Sequence, residues 1–367
     1  MRALIQANAG LLIAGIMTFV LMGAGQSIYG PALPAFEREF GLVAGQGRYL
    51  ISALWIGSAT GVAISFLRGK GMIPRHALGT MAVGSAIVAA GPGWWGTLAG
   101  SVIFGTGYGI STVVFNPRML KTFADKGPSM LGLLNAMFGV GAIVAPLVFV
   151  ALGSDPQISF GLIAGLCALI WLAAGAGEND APDAQGSTQA YRIRPLILLF
   201  GTVCIGIEAC LIGLGPSALI RSGMTEVEAA QLLSAFFVAF LLSRVALVLF
   251  AHLVPAFTIY TVSMAGAAAS AIAALFLTPG PFFVIMGGFA GLFFPGFYVT
   301  ATRAMGDHPR VAPTIIAAGL VGGISSPVIL GALVGGMGER GFFWIIAGLT
   351  GATTAAAMLM MRRLNRD

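Results

Sequence analysis

The sequence predicts an all-α membrane protein with twelve transmembrane helices in two pseudo-symmetric six-helix halves. Three observations carry this: a shortage of charge, a lopsided placement of basic residues, and an internal repeat. Of the 367 residues, 57% are hydrophobic, 53 are Gly and only 9% are charged. A water-soluble domain of this length carries about sixty more charged residues. The composition therefore excludes a soluble enzyme, a disordered chain and a nucleic-acid binder. The stretch from Val245 to Thr302 has 58 residues without Asp, Glu, Lys or Arg, room for two spans of about 20 residues and a turn. Such spans are helices, because lipid forces each backbone group to pair within its own segment. The alternating ten-residue segments of a β-barrel are absent from the sequence.

The spans follow in order. The first, 10–34, starts after the single charge of Arg2 and is too long for a signal-peptide core. The second and third, 48–67 and 74–91, are separated by Arg68, Lys70 and Arg75. The fourth, 95–120, ends in Asn116-Pro117-Arg118 and Lys121, and the fifth and sixth cover 129–152 and 157–176. Residues 177–194 combine acids, Pro, Gly, Ser and Gln, the composition of a solvated linker. The seventh span, 195–221, contains Glu208, and the eighth, 227–250, contains Arg244. The ninth and tenth, 255–277 and 281–304, divide the charge-free stretch, and 311–336 and 340–361 complete the set. The expected domains are thus 1–176 and 195–367, joined by the linker 177–194.

With the N-terminus inside, 15 Lys and Arg fall on the cytoplasmic side. Only Arg38, Arg48, Arg221 and Arg340 fall outside. This is the positive-inside pattern of an even span number with both termini cytoplasmic. The halves align at an offset of 182: Gln26 on Glu208, Pro34 on Pro216, Gly41 on Gly223, Ser52-Ala53 on Ser234-Ala235, Gly105 on Gly287, Gly109 on Gly291 and Lys121 on Arg303. In the fifth span the register slips by one, placing Gly141 on Gly322 and Pro146 on Pro327. Gly57-x-x-x-Gly61, Gly105-x-x-x-Gly109 and Gly287-x-x-x-Gly291 give small helix faces for close packing in lipid, with or without sliding.

Parallel six-span repeats of this kind resemble the major facilitator superfamily. Within it the chain looks most like the fucose/glucose-galactose proton symporter group, on Asn116-Pro117, the run Leu133 to Ala142 with Pro146, Ile205 to Glu208, and Glu228 to Ser234 leading to Ser243-Arg244. The resemblance implies alternating access by a bacterial inner-membrane monomer, with the first span of each half lining a central cavity. Two departures stand against a full match. The loop Ser65 to Met72 keeps its basic residues and glycines but lacks the superfamily's acid. Positions where some symporters carry membrane acids are Gly30 and Thr112, neither of which can hold a proton.

Polar groups at membrane depth are functional candidates. Glu208 lies about 13 residues into its span, roughly 20 Å deep by helical rise, and is the expected proton-coupling residue. The expected solute contacts are Gln26, Tyr29, Asn116, Asn135, Glu208 and Tyr298. Each amide or phenol has an interhelical hydrogen bond as its plainer reading. Arg244, about 9 Å from its helix end by the same rise, is a gate contact or charge partner; a direct bridge to Glu208 requires tilted helices. Trp55 reads as packing or as a surface for stacking a sugar ring.

Gly91-Pro92-Gly93-Trp94-Trp95-Gly96 mimics a dinucleotide fingerprint but has no preceding strand, so the Trp pair reads as an interfacial anchor. The sequence holds no ATP-binding, cofactor or metal motif, and Cys167, Cys204 and Cys210 read as packing residues. The expected function is secondary transport of a small, sugar-like polar solute with protons. Efflux of amphipathic drugs or metabolites is the alternative, and a non-transporting sensor or scaffold is the alternative of another class. The expected partners are the solute, protons and the lipid bilayer, with no nucleic acid.

Overall fold

The computed structural model describes residues 6, 8–68, 72–123, 126–174, 192–250, 252–306, 308 and 310–364. Among them are twelve helices and no strand: α1 (Ala9–Glu39), α2 (Arg48–Arg68), α3 (Pro74–Ala89), α4 (Trp94–Phe123), α5 (Gly127–Ala151), α6 (Pro156–Ala173), α7 (Pro195–Arg221), α8 (Glu226–Phe250), α9 (Ala256–Phe276), α10 (Pro279–Met305), α11 (Val311–Val334) and α12 (Gly341–Leu364). Ten are long and apolar enough to cross a membrane. The exceptions are α3 and α6. With 16 residues, α3 extends about 24 Å by helical rise, short of a hydrocarbon core of about 30 Å. The chain is an integral, multi-pass membrane protein.

Proline starts several helices at the position where its missing N–H costs nothing: Pro74, Pro156, Pro195 and Pro279. Asp155 caps α6, its carboxylate accepting from the Gln157 and Ile158 N–H groups at 2.8 and 3.1 Å.

The chain forms two compact units, Met1–Asp183 and Ala184–Asp367. Most of the linker expected at 177–194 lies outside the described residues, which stop at 174 and resume at 192. In the first unit α1 packs on α5, α2 on α4, and α3 on both α4 and α6. In the second unit α7 packs on α11, α8 on α10, and α9 on both α10 and α12. Each pair of one unit has its counterpart six helices later.

The correspondence reaches single atoms. A Cβ built on Gly141 would lie 2.8 Å from the Val20 carbonyl carbon; on Gly322 it would lie 2.9 Å from that of Thr202. Val20 and Thr202 are themselves 182 residues apart. Gly105 meets the Leu54 carbonyl and Gly287 the Phe236 carbonyl, again repeat mates. So are Ser58 and Phe240, met by Gly109 and Gly291. Carbonyl oxygens of one helix thus rest on glycine faces of the next. The Gly-x-x-x-Gly faces are seams of direct backbone contact.

The ends of α1 and α7 match as well. Gly41 and Gly223 both take positive φ, 60° and 96°, a conformation that suits glycine at a helix end. Leu42 N–H donates to the Glu37 carbonyl at 2.9 Å, and its mate Met224 to that of Leu219 at 3.2 Å.

Candidate functional site

In the first unit the polar centre is Gln26 on α1, 7% exposed. The Tyr108 hydroxyl on α4 donates to its Oε1 at 2.9 Å. The Tyr108 ring stands edge-on to Trp55 of α2, with centroids 6.5 Å apart at 62°. It also stands edge-on to Phe138 of α5, 6.4 Å away at 84°. All three rings are half-buried. The amide sits inside a membrane segment, where an unpaired carbonyl is costly, and Tyr108 satisfies it.

Tyr29 goes elsewhere. It is 1% exposed, and its ring packs on Phe160 of α6 at 5.0 Å, within the unit's core. Asn116 is half-buried, and its Oδ1 is buried without a hydrogen-bond donor among the described residues. Asn135 is exposed and donates to the Leu131 carbonyl one turn back at 2.9 Å. Of the expected first-unit residues, Gln26 alone is in the Tyr108 cluster.

In the second unit Glu208 on α7 is half-buried, and its Oε2 is buried with no hydrogen-bond partner among the described residues. Arg244 on α8 lies near enough for its charge to act on that carboxyl. Arg244 is fixed at two points: its Nε donates to the Gly291 carbonyl at 3.1 Å, and its guanidinium lies over the Phe240 ring at 4.3 Å. It is therefore held on α8 and α10, beside the seam of Gly291. Tyr298 on α10 is half-buried and packs on Phe294 at 5.4 Å.

Two residues were not singled out by the sequence. Tyr108 is the hydrogen-bond partner of Gln26. Arg118, 5% exposed, is a buried cation donating to the Val114 and Met72 carbonyls, both at 3.0 Å. It ties α4 to the segment before α3. The Gly91–Gly96 motif forms the turn into α4, with Gly91 and Gly93 at positive φ and Trp95 80% exposed, far from any strand-to-helix phosphate cradle.

Comparison with known proteins places this arrangement. No curated protein matches the sequence. Solved structures match in fold. A point mutant of the nucleoside transporter NupG superposes with a TM-score of 0.74 at 16% identity, covering 96% of this chain and 99% of its own. A bacterial homologue of the human lysosomal transporter Spinster, inward-facing and unoccupied, gives 0.70 at 16% identity, covering 98% and 96%. FucP, a major facilitator transporter in the outward conformation, gives 0.65 at 17% identity, covering 95% and 98%. At these identities the likeness is one of fold. The family model of the Major Facilitator Superfamily matches residues 15–318. Twelve helices in two units with matching seams, and a family match over most of the length, lead to one statement: this chain belongs to the major facilitator superfamily of transporters.

Proposed function

We propose that the protein is a secondary active transporter that moves a small polar solute by alternating access, coupled to protons through Glu208. The two six-helix units are the moving parts, and both termini lie on the cytoplasmic side of a bacterial inner membrane. The carrying observation is the Glu208 carboxyl inside a membrane helix, with one oxygen buried and without a hydrogen-bond partner among the described residues and the Arg244 charge acting on it. A carboxylate left so is costly. Taking up a proton relieves that cost, and a group that alternates between the two states can tie proton movement to solute movement. With no ATP-binding motif in the sequence, an ion or solute gradient supplies the drive.

The test is solute-driven proton uptake in proteoliposomes carrying a trapped pH dye, over a panel of sugars, nucleosides, organic acids and cationic dyes. Glu208→Gln is expected to abolish proton uptake while leaving solute exchange at equal concentrations on both sides. Proton uptake at the wild-type rate by Glu208→Gln overturns the coupling role.

One observation favours efflux of amphipathic compounds as the second reading. A largely apolar hollow of about 340 Å³ in the second unit is lined by Ser243, Ala246, Leu247, Val254, Ile259, Val262 and Leu292. It would suit a bilayer-partitioned solute. Transport of the cationic dyes alone from the same panel would establish this reading over the first.

A further inference from the structure

The repeat mates of the Gln26 cluster differ sharply between the units. Opposite Gln26, Trp55 and Tyr108 stand Glu208, Phe237 and Ala290, each 182 residues on. Duplication therefore did not impose the amide, indole and phenol of the first unit. At these three positions the second unit carries a carboxyl and the first a hydrogen bond among rings.

The three rings come from three helices, α2, α4 and α5, and meet at steep angles of 62° and 84°. They form a corner instead of a stack. Phe104, Phe115 and Phe160 in this unit's core are each 0% exposed. Trp55, Tyr108 and Phe138 each retain accessible surface. Gln26 is more than nine-tenths buried at their base. Because the Tyr108 hydroxyl takes the amide oxygen, the NH₂ end is the one left to meet a ligand. The indole N–H of Trp55 is a second donor. The corner thus combines aromatic faces with hydrogen-bond donors. The nearest acids on α1 are Glu37 and Glu39, eleven and thirteen residues on, roughly 16–20 Å away by helical rise. No other acid stands on α1, α2, α4 or α5, so these four helices carry nothing to balance a cationic ligand.

We infer that Gln26, Trp55 and Phe138, with Tyr108 holding the Gln26 amide, form the subsite that selects the solute. It takes a neutral ring with a flat apolar face and an acceptor oxygen on its rim. Pyranoses and nucleobases share that chemistry. The inference rests on the transport reading above for its purpose, while binding can be measured apart from transport.

The test is equilibrium binding of radiolabelled D-glucose, D-galactose, uridine and adenosine to the purified full-length protein at one pH, with folding checked by a single gel-filtration peak. One ring class, pyranose or nucleoside, is expected to bind, which identifies the source. Trp55→Leu and Gln26→Ala are expected to weaken that binding about tenfold or more, equivalent to about 1.4 kcal/mol. Trp55→Phe, which keeps a ring, is expected within about threefold, in line with the modest energies of single aromatic contacts. Tyr108→Phe is expected to weaken binding severalfold in the wild-type background and to add nothing in Gln26→Ala, as a positioning residue should. Binding of none of the four rings overturns the inference, as does unchanged affinity in both Trp55→Leu and Gln26→Ala. Glu208→Gln separates the two claims: lost proton uptake with retained ring binding supports both, while retained proton uptake with Trp55-dependent binding removes the coupling role alone.

Discussion

The glycine seams give the sharpest quantitative prediction. In Gly141→Ala the new Cβ would sit 2.8 Å from the Val20 carbonyl carbon and 3.0 Å from its Cα. Ordinary carbon contacts lie at about 3.5–4.0 Å and the Val20 carbonyl oxygen is nearer still, so α1 and α5 must part by at least about 0.7–1 Å. The obstacle is backbone, which has no rotamer to yield. Overpacking of this kind costs about 1–3 kcal/mol. Alanine's better helix propensity returns about 1 kcal/mol. The net loss is thus about 0–2 kcal/mol. The control is Gly165→Ala in α6, where nothing lies within 4 Å of the new Cβ and only the propensity gain of about 1 kcal/mol remains. A unit of this size shifts its Tm by about 2–4 °C per kcal/mol, so the two variants, which differ by the overpacking cost of about 1–3 kcal/mol, should lie roughly 2–12 °C apart. The chain supplies its own probe. Cys167, Cys204 and Cys210 are all buried, and a thiol-reactive dye will report their exposure on heating. Cys167 reads the first unit, and the other two read the second. Gly322→Ala, which meets Thr202 in the same way, should fall by a similar amount. A Gly141→Ala variant that melts within about 1 °C of Gly165→Ala, or above it, refutes the seam argument.

Three further outcomes are expected. Gly41→Ala and Gly223→Ala meet no neighbouring atom, so each should cost only the backbone strain of positive φ, about 1–2 kcal/mol, visible as small and similar drops in the same melt. Glu37 Oε1 accepts from the Gly45 and Gly47 N–H groups at 2.8 and 2.9 Å. Glu37→Ala should cost about 1–3 kcal/mol and speed tryptic cleavage after Arg48, while leaving the dye melt of the second unit unchanged. Arg118→Ala releases the Met72 carbonyl from α4 and should raise hydrogen exchange in the first turn of α3, with the last turn of α3 unaffected.

Architecture was more legible than facing. Helix number and repeat register follow from where charge is absent and where glycines recur, both one-dimensional signals. Direction around a helix is different, because helices apolar on every side carry no moment to show which residues turn inward. Gln26 and Tyr29 are three residues apart on α1, yet one turns to Tyr108 and the other to Phe160. Asn135 was readable as an amide in a span, but its bond to the Leu131 carbonyl on its own helix was not. Tyr108 could have been found by depth. Gln26 lies 13 residues from Glu39, and Tyr108 lies 14 from Trp94; these helix ends are neighbours, with Phe40 and Trp94 rings 6.2 Å apart. Equal depth on packed helices marks potential partners. The short α3 has a local cause, since Arg75 and His76 occupy its first turn and leave too few apolar residues for a full span.

The paired seams also bear on how each unit deforms. Where Gly141 rests on the Val20 carbonyl, or Gly322 on that of Thr202, two main chains touch with no intervening side chain to compress, rotate or melt. Such joints behave as welds. Elastic compliance is displaced to interfaces built from long side chains, such as Arg75 over the Trp171 ring at 5.5 Å between α3 and α6. Gly84 and Gly107 make the same backbone contacts between α3 and α4, and Gly296 between α9 and α10, so five helices in each unit join as stiff girders and α6 and α12 are the ones fastened to them through side chains.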